Sequence, residues 1–247
     1  MRADLLDAQA CVDWTISQVD VLKRQLMAWD EQPPYRIVSE PHTQVGKKVL
    51  RLRDVKPPSP IINAQVGAMI NSLRASLDLL VNRLAERTGH AGKEDSHFPI
   101  CPSRDAFFIG KHAGHKHIRR LSDVDRKIIE ELEPWRGGKI PLLYALHELD
   151  ITRKHRRLIN VEMRPVYAKA TGLPPDEPVT FHAISGVKFE ENAILGVDDA
   201  EPDYSKIEIV FDIRLNEAGP LANAHVTIAI ESMAHLVTGI IGKFDHL

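Results

Sequence analysis

Two segments of the chain place charged side chains on otherwise apolar stripes at helical spacing. Arg74 and Asp78 are four residues apart in the first segment, and Asp150 and Lys154 have the same spacing in the second. Ionised groups beside a core are costly unless they are paired. We therefore expect the two segments to face each other, with Asp78 paired to Lys154 or Arg156 and Asp150 paired to Arg74.

This charged centre has two interpretations. In the first, the cations contact a phosphate or carboxylate, and an Asp or His155 transfers a proton. In the second, the charges form a clamp that fixes the register of two helices. Structural ion-pair networks perturb charged groups as readily as active sites do, so the charges alone do not indicate chemistry. The clamp is favoured, and both interpretations use the same binding candidates, namely Arg74, Asp78, Asp150, Lys154, His155 and Arg156.

A second group of candidates lies in a basic segment. From Arg104 to Arg120 the chain has five Lys or Arg residues, one Asp and three histidines. His112, His115 and His117 have the residue type of a zinc or nickel site, but the flanking cations oppose a metal cation. We expect no metal here and favour a solvated loop that contacts an anion or RNA. Its basic candidates are Lys111, Lys116, Arg119 and Arg120.

Composition excludes several classes of protein. With 247 residues, 43% apolar and 27% charged, the chain resembles a soluble globular protein with a sizeable core. The net charge of −2 provides no overall attraction to nucleic acid. Neither a Walker A motif nor a dinucleotide, GxSxG or HExxH motif is present, so no cofactor is expected. The N-terminus lacks the pattern of a signal peptide, which favours a cytoplasmic protein that binds no membrane.

Helices and strands must position these groups. Apolar residues at spacings of three and four predict helices over about 4–29, 60–88, 122–133, 141–156 and 220–244. The second helix carries Arg74 and Asp78, begins at Ser59-Pro60 and ends at Gly89. The fourth helix carries Asp150.

Alternating apolar and polar residues predict the strands. They fall at about 35–40, 47–54, 158–164, 179–184 and 206–215. The acidic stretch from Glu190 to Asp203 is predicted to be a loop. Together the patterns predict one α+β domain over residues 1–247, in which a bundle of about four helices packs with an antiparallel sheet of about five strands.

Four short blocks of the sequence resemble a widespread bacterial family of uncharacterised proteins. The blocks are Leu73-Arg74-x2-Leu77-Asp78, Phe98-Pro99-Ile100, Glu133-Pro134-Trp135 and Leu149-Asp150-x3-Lys154-His155-Arg156. Members of that family share LR-x2-LD, FPI, a QPY-like step and LD-x3-KHR in the same order. The resemblance covers about residues 60–160 and implies no particular activity.

Many members of that family have a histidine after the first Asp, and the resulting Arg-x4-His is similar to the motif of HEPN ribonucleases. In those helical proteins Arg and His near a dimer seam cleave RNA without a metal. This chain has Leu79 where the histidine would be, and Arg83 with His90 has only the looser Arg-x6-His spacing. The resemblance implies a metal-independent ribonuclease or toxin as an alternative function.

The sequence therefore leaves three functions open. The first is a binding or structural protein that has a charged inter-helix centre and takes a small, phosphate-bearing anion. The second is the HEPN-like ribonuclease, whose partner is RNA. The third is a subunit of an oligomer, such as a homodimer, in which the two signatures only hold helices together.

Overall fold

A computed structural model shows an α+β protein, as the sequence predicts. It describes residues 1–30, 35–41, 43, 47–91, 95–170, 180–181, 190–198, 207–217 and 219–245. The chain divides into two compact units. The first comprises Met1–Lys23, Pro60–Asn160 and Asn216–Leu247, and the second comprises Arg24–Ser59 and Val161–Leu215. The single domain expected over residues 1–247 stays a prediction.

The helices supply most of the first unit. They are α1 (Leu6–Asp30), α2 (Pro60–Arg87), α3 (Arg104–Phe108), α4 (Asp123–Glu131), α5 (Pro141–His155) and α6 (Val226–Gly242). Helix α1 continues past the end of this unit at Lys23. Within the described residues, no helix is both long and apolar enough to cross a bilayer.

Helix α2 is the central helix of this unit and packs against α5 and α6. Its apolar stripe, which includes Leu73, Leu77 and Leu80, is fully buried, and this burial supplies the main stabilisation of the helix. The hydroxyl of Ser76 donates to the carbonyl oxygen of Ala8 at 2.7 Å, which ties α2 to α1.

Helices α2 and α5 run antiparallel. The amide nitrogen of Asn71 lies 3.0 Å from a carboxylate oxygen of Asp150, and one turn earlier on α2 the missing side chain of Gly67 leaves room for the stem of Arg153. Because earlier residues of α2 thus meet later residues of α5, the C-terminal half of α2 lies beside the N-terminal half of α5.

Helix α6 begins at Val226 rather than at residue 220. Residues 219–224 form turns instead, with the amide of Ala222 bonded to the Gly219 carbonyl at 3.0 Å. Gly219 and Asn223 have φ values of +101° and +62°, which a right-handed helix does not accommodate. The early start predicted from Gly219-Pro220 is therefore wrong.

The second unit contains two small antiparallel sheets. The first sheet has the order β1 (Arg36–Pro41), β2 (Lys48–Arg53) and β5 (Ile194–Asp198). In the second sheet, β3 (Val161–Ala170) pairs along β6 (Ile207–Leu215), and β4 (Thr180–Phe181) adds two residues beside β3. The single five-stranded sheet predicted from the sequence is wrong.

The unexpected strand β5 explains part of this difference. It forms within the acidic stretch predicted as a loop, and it pairs with β2 from Lys48 opposite Asp198 to Arg51 opposite Ile194. The strand expected at 179–184 is described only at Thr180–Phe181, and its other residues lie outside the described part of the chain. Leu52 and Ile209 form one buried cluster of this unit, against which Tyr35, Ile37 and Phe211 pack.

Candidate functional site

The first charged signature is a clamp on a loop. Arg74 is only 6% exposed, and its Nη1 donates to Asp78 Oδ1 at 2.6 Å. Arg74 Nη2 donates to the carbonyl oxygen of Phe98 at 2.8 Å, and the amide of Phe98 donates to Asp78 Oδ1 at 2.9 Å. The ion pair thus satisfies both backbone groups of Phe98 and fixes the Phe98-Pro99-Ile100 segment to α2.

The second signature joins two helices. Asp150 is 3% exposed, and its two carboxylate oxygens accept from Asn71 Nδ2 at 3.0 Å and from Lys154 Nζ at 2.7 Å. Lys154 reaches solvent, with 41% of its side chain exposed. The polar contact between α2 and α5 is therefore the Asn71–Asp150 hydrogen bond, supported by a cation on the same helix as the acid.

The expected pairing across the helices is wrong, although the helices do face each other. Asp78 pairs with Arg74 and Asp150 pairs with Lys154, each within one helix. The cause is the antiparallel packing, which places Asp78 toward the N-terminal half of α5. Asp78 follows Asn71 on α2, and Lys154 follows Asp150 on α5, in opposite directions from the Asn71–Asp150 contact. The two helical rises therefore add, and they separate Asp78 from Lys154 by about 16 Å.

His147 is a member of this centre that the sequence analysis does not select. It lies one turn before Asp150 on α5, and its Nδ1 is buried without a hydrogen-bond partner among the described residues. Burial, followed by the nearby charge of Arg74, lowers the pKa of His147 to about 4 against the opposing effect of Asp150 and Asp78. The imidazole is therefore neutral at pH 7. The sequence signal that could have identified His147 is its position one helical turn before Asp150.

Two further histidines stack beside the loop clamp. The rings of His97 and His117 have centroids 3.7 Å apart and planes inclined by 34°. Burial lowers the pKa of both residues, and for His97 the neighbouring His117 lowers it further. Because His97 precedes the clamped Phe98, this pair joins the loop to the 3-10 turn Gly114–Ile118.

The three histidines weighed as metal ligands do not converge. His115 Nδ1 lies 2.9 Å from the carbonyl oxygen of Phe107, and His117 Nδ1 lies 3.1 Å from that of Asp95. His112 is exposed. Among the described residues, no group of three His, Cys, Asp or Glu side chains is arranged to hold a metal ion.

The four basic candidates of this segment differ in their surroundings. Arg119 and Arg120 both pair with Asp95, the first at 2.7 Å. Lys116 Nζ donates to the carbonyl oxygen of Lys111 at 3.3 Å, and the side chain of Lys111 is exposed. One carboxylate thus offsets two guanidinium groups, and the segment keeps a net positive charge.

A cleft opens along another face of α5. Its empty volume, open mouth included, is about 880 Å³. It is lined by Ala145, Glu148, Leu149, Ile151, Thr152, Arg156, Arg157, Glu217, Pro220 and Leu221. Arg156 belongs to both this lining and the binding candidates expected from the sequence, whereas the buried charges of the inter-helix centre lie on a different face of the helix.

The lining of the cleft includes a bidentate ion pair. Arg157 Nη1 and Nη2 donate to the two oxygens of Glu217 at 2.7 and 2.8 Å. Glu217 is 7% exposed and also accepts from the amide of Asn160 at 2.7 Å. Sequence reasoning missed both residues because Glu217 is 60 positions from its partner.

The exposed end of α5 keeps two of the expected candidates accessible. The side chains of His155 and Arg156 are exposed, and neither forms a side-chain hydrogen bond or ion pair within the described residues. The backbone amide of Arg156 donates to the carbonyl oxygen of Thr152 at 3.0 Å, and this hydrogen bond fixes the backbone of Arg156.

The looser Arg-x6-His spacing does not produce an exposed pair of catalytic groups. Arg83 binds Glu86 at 2.7 Å and also pairs with Asp7. His90 Nδ1 lies 3.2 Å from the hydroxyl of Thr88, beyond the end of α2. The guanidinium of Arg83 is thus held by two carboxylates.

Comparison of the chain with family models, with curated proteins and with solved structures gives no match. The resemblance to the bacterial family with LR-x2-LD and LD-x3-KHR blocks therefore stays a prediction.

Proposed function

We propose that the protein is a binding protein that takes a small, phosphate-bearing anion with an apolar body in the α5 cleft. The observation that carries this proposal is the position of Arg156. Its exposed side chain lines a cleft that has both apolar and polar residues, and it has no acidic partner within the described residues. A guanidinium with free donors suits the bidentate binding of phosphate.

The charges around the cleft decide where the anion sits. Arg157 is neutralised by Glu217 in a bidentate pair. Glu148 interacts with Arg136 at 3.1 Å and with the hydroxyl of Tyr144 at 3.0 Å. Arg156 directly follows the last residue of α5 and lies eight residues after Glu148, which corresponds to a rise of about 12 Å. The phosphate group therefore binds at the Arg156 end, away from the Glu148 carboxylate.

The remaining lining favours an apolar body on the same ligand. Ala145 and Leu149 are buried members of the lining, and Pro220 and Leu221 belong to the same lining. Ligand sites combine such apolar walls with a few polar groups that fix orientation. A ligand whose phosphate meets Arg156 covers this apolar surface with its remaining atoms, which adds hydrophobic stabilisation.

The charged inter-helix centre has a supporting role in this proposal. Arg74 and Asp78 use their short contacts to hold Phe98, and Asp150 uses both oxygens for Asn71 and Lys154. An anion placed beside Asp78 and Asp150 would meet two carboxylates. The centre therefore orients α5, while a separate face of that helix meets the ligand.

Phenyl phosphate is a suitable probe, because it combines a phosphate with one small apolar ring. Isothermal titration calorimetry should give binding of phenyl phosphate that is stronger than binding of inorganic phosphate. Arg156→Gln should weaken it at least tenfold, since it removes the anion contact. Lys127→Gln removes the same charge from α4, outside the cleft lining, and should leave affinity unchanged.

A second variant tests the apolar part of the site. Leu221→Ala should weaken binding of phenyl phosphate several-fold and leave the affinity for inorganic phosphate unaltered, because Leu221 offers no polar group. Equal affinity of wild type and Arg156→Gln for phenyl phosphate would overturn the proposal. So would the absence of binding at millimolar probe while the protein remains folded by circular dichroism.

A further inference from the structure

The side chains of Arg104 and His115 both lie against the ring of Phe108 in the basic segment, and we call these three residues the column. The guanidinium carbon of Arg104 lies 5.1 Å from the ring centroid of Phe108. On the same ring, His115 stacks with a centroid distance of 6.3 Å and an angle of 26° between planes. Arg104 is exposed, so the column ends at solvent with a planar cation.

The backbone beneath this column is fixed by short local contacts. The hydroxyl of Ser103 caps α3 by accepting from the amide of Ala106 at 3.1 Å. His115 Nδ1 is 2.9 Å from the carbonyl oxygen of Phe107. At Gly114 any side chain would overlap the sulfur of Cys101, so glycine permits the close approach of the 3-10 turn. The column is thus held in place before any partner arrives.

Four further cations lie in the same segment of the chain as the column. Lys111 is exposed and Lys116 bonds to the Lys111 carbonyl, so both ammonium groups belong to one stretch of surface chain. Arg119 and Arg120 share the single carboxylate of Asp95. The net charge of the whole chain is −2, but this segment, which contains the column, is locally basic.

We propose that this region binds single-stranded nucleic acid. A base extends the column by stacking on the guanidinium of Arg104, and the adjoining phosphates contact Lys111 and Lys116. Bases stack on arginine planes as they do on aromatic rings, and a base is available for this only when it is unpaired. The site is independent of the α5 cleft, and its partner is a polymer rather than a small anion.

Fluorescence anisotropy with labelled 12-nucleotide oligouridine and oligothymidine tests the proposal. Wild type should bind either strand at 50 mM salt, and affinity should fall as salt rises. A blunt RNA duplex of equal length should bind at least tenfold more weakly.

Three variants separate stacking from charge. Arg104→Lys keeps the charge and removes the plane, so affinity should fall about tenfold with an unchanged salt slope. Lys111→Gln with Lys116→Gln should reduce the slope by about 1.4, since each phosphate contact on a single strand contributes about 0.7. The matched control removes two exposed lysines elsewhere, Lys127 and Lys243, as Gln, and should bind like wild type.

Several results would overturn the proposal. These are the absence of binding at 50 mM salt, equal binding of duplex and single strands, or the same loss in the control double variant as in Lys111→Gln with Lys116→Gln. Circular dichroism melting of each variant confirms that a loss of binding is not a loss of fold. Phenyl phosphate titration into Arg104→Lys should match wild type, so the two proposals fail separately.

Discussion

Removing Asp78 should leave a buried arginine without its counter-charge. Asp78→Ala removes the acceptor of Arg74 Nη1 and of the Phe98 amide, while Arg74 itself is 6% exposed. Breaking one side of a buried pair costs about 3–5 kcal/mol. Because 35% of the Asp78 side chain is exposed, water can partly replace the carboxylate. We expect a loss near the lower end, about 3 kcal/mol of unfolding free energy.

The second signature should respond differently because its buried member is the acid. Asp150 is 3% exposed, whereas 41% of the Lys154 side chain is exposed. Lys154→Ala leaves a buried carboxylate with the Asn71 bond, and we expect a loss of about 2 kcal/mol. Asp150→Ala releases the lysine into water and removes one acceptor from Asn71, which should cost about 1 kcal/mol.

Urea unfolding followed by circular dichroism measures these losses and their coupling. Arg74→Met with Asp78→Ala should lose at least 1.5 kcal/mol less than the sum of the single variants, because the two side chains contact each other. Asp78→Ala with Lys154→Ala should be additive within about 0.5 kcal/mol, because the two residues belong to different pairs. The pairing first expected from the sequence required strong coupling between them.

The opposite pattern would refute this reasoning. Strong coupling between Asp78 and Lys154, together with additivity of Arg74 and Asp78, would mean that the pairs form between the helices. Equal losses for Asp78→Ala and Asp150→Ala would mean that the exposure of the surviving partner does not set the cost.

Three further predictions follow from other contacts. Lowering the pH from 7 to 4 should reduce the unfolding free energy of wild type by about 2 kcal/mol more than that of His147→Gln, as measured by urea unfolding. The pKa of His147 is about 4 in the folded state, below its usual value near 6.5, so the unfolded state binds the proton first as the pH falls. His155→Ala, at an exposed position, should leave the thermal midpoint unchanged; a shift of several degrees would contradict this. Gly138→Ala should destabilise by more than 2 kcal/mol in thermal unfolding, because its side chain would overlap the carbonyl oxygen of Glu133. A neutral result at Gly138 would mean that the turn rearranges.

The helices that carry the charged centre could be predicted because their signals are local. The apolar stripe around Leu73 and Leu77 indicates the buried face of α2, and the prediction of this helix over 60–88 differs by one residue from the Pro60–Arg87 of the structure. The four-residue spacing of Arg74 and Asp78 also permits an ion pair within one helix. The spacing alone does not determine which of several cations forms the ion pair with an acid. The choice depends on helix direction, which tertiary packing decides.

The sheets show the same limit. Strands β1 and β2 follow from alternating residues close together in the chain. Strand β5 pairs with β2 across more than 140 positions and has glycine at Gly196, which weakens its alternating pattern. An acidic composition therefore favoured a loop over a strand. Pairing partners so distant in sequence contribute contacts that no local pattern contains.

The two faces of α5 separate the structural role of Asp150 from the binding role proposed for Arg156. Successive residues of a helix are 100° apart, so Leu149 and Arg156 lie on nearly the same side of α5, whereas Asp150 points about 100° from Leu149. The cleft accordingly lies beside Leu149 and Arg156, and the buried contact to Asn71 uses Asp150. A change at Asp150 should therefore lower stability first and affinity only as α5 shifts. A change at Arg156 should lower affinity without lowering stability, which is the behaviour expected of an exposed ligand contact at the end of a packed helix.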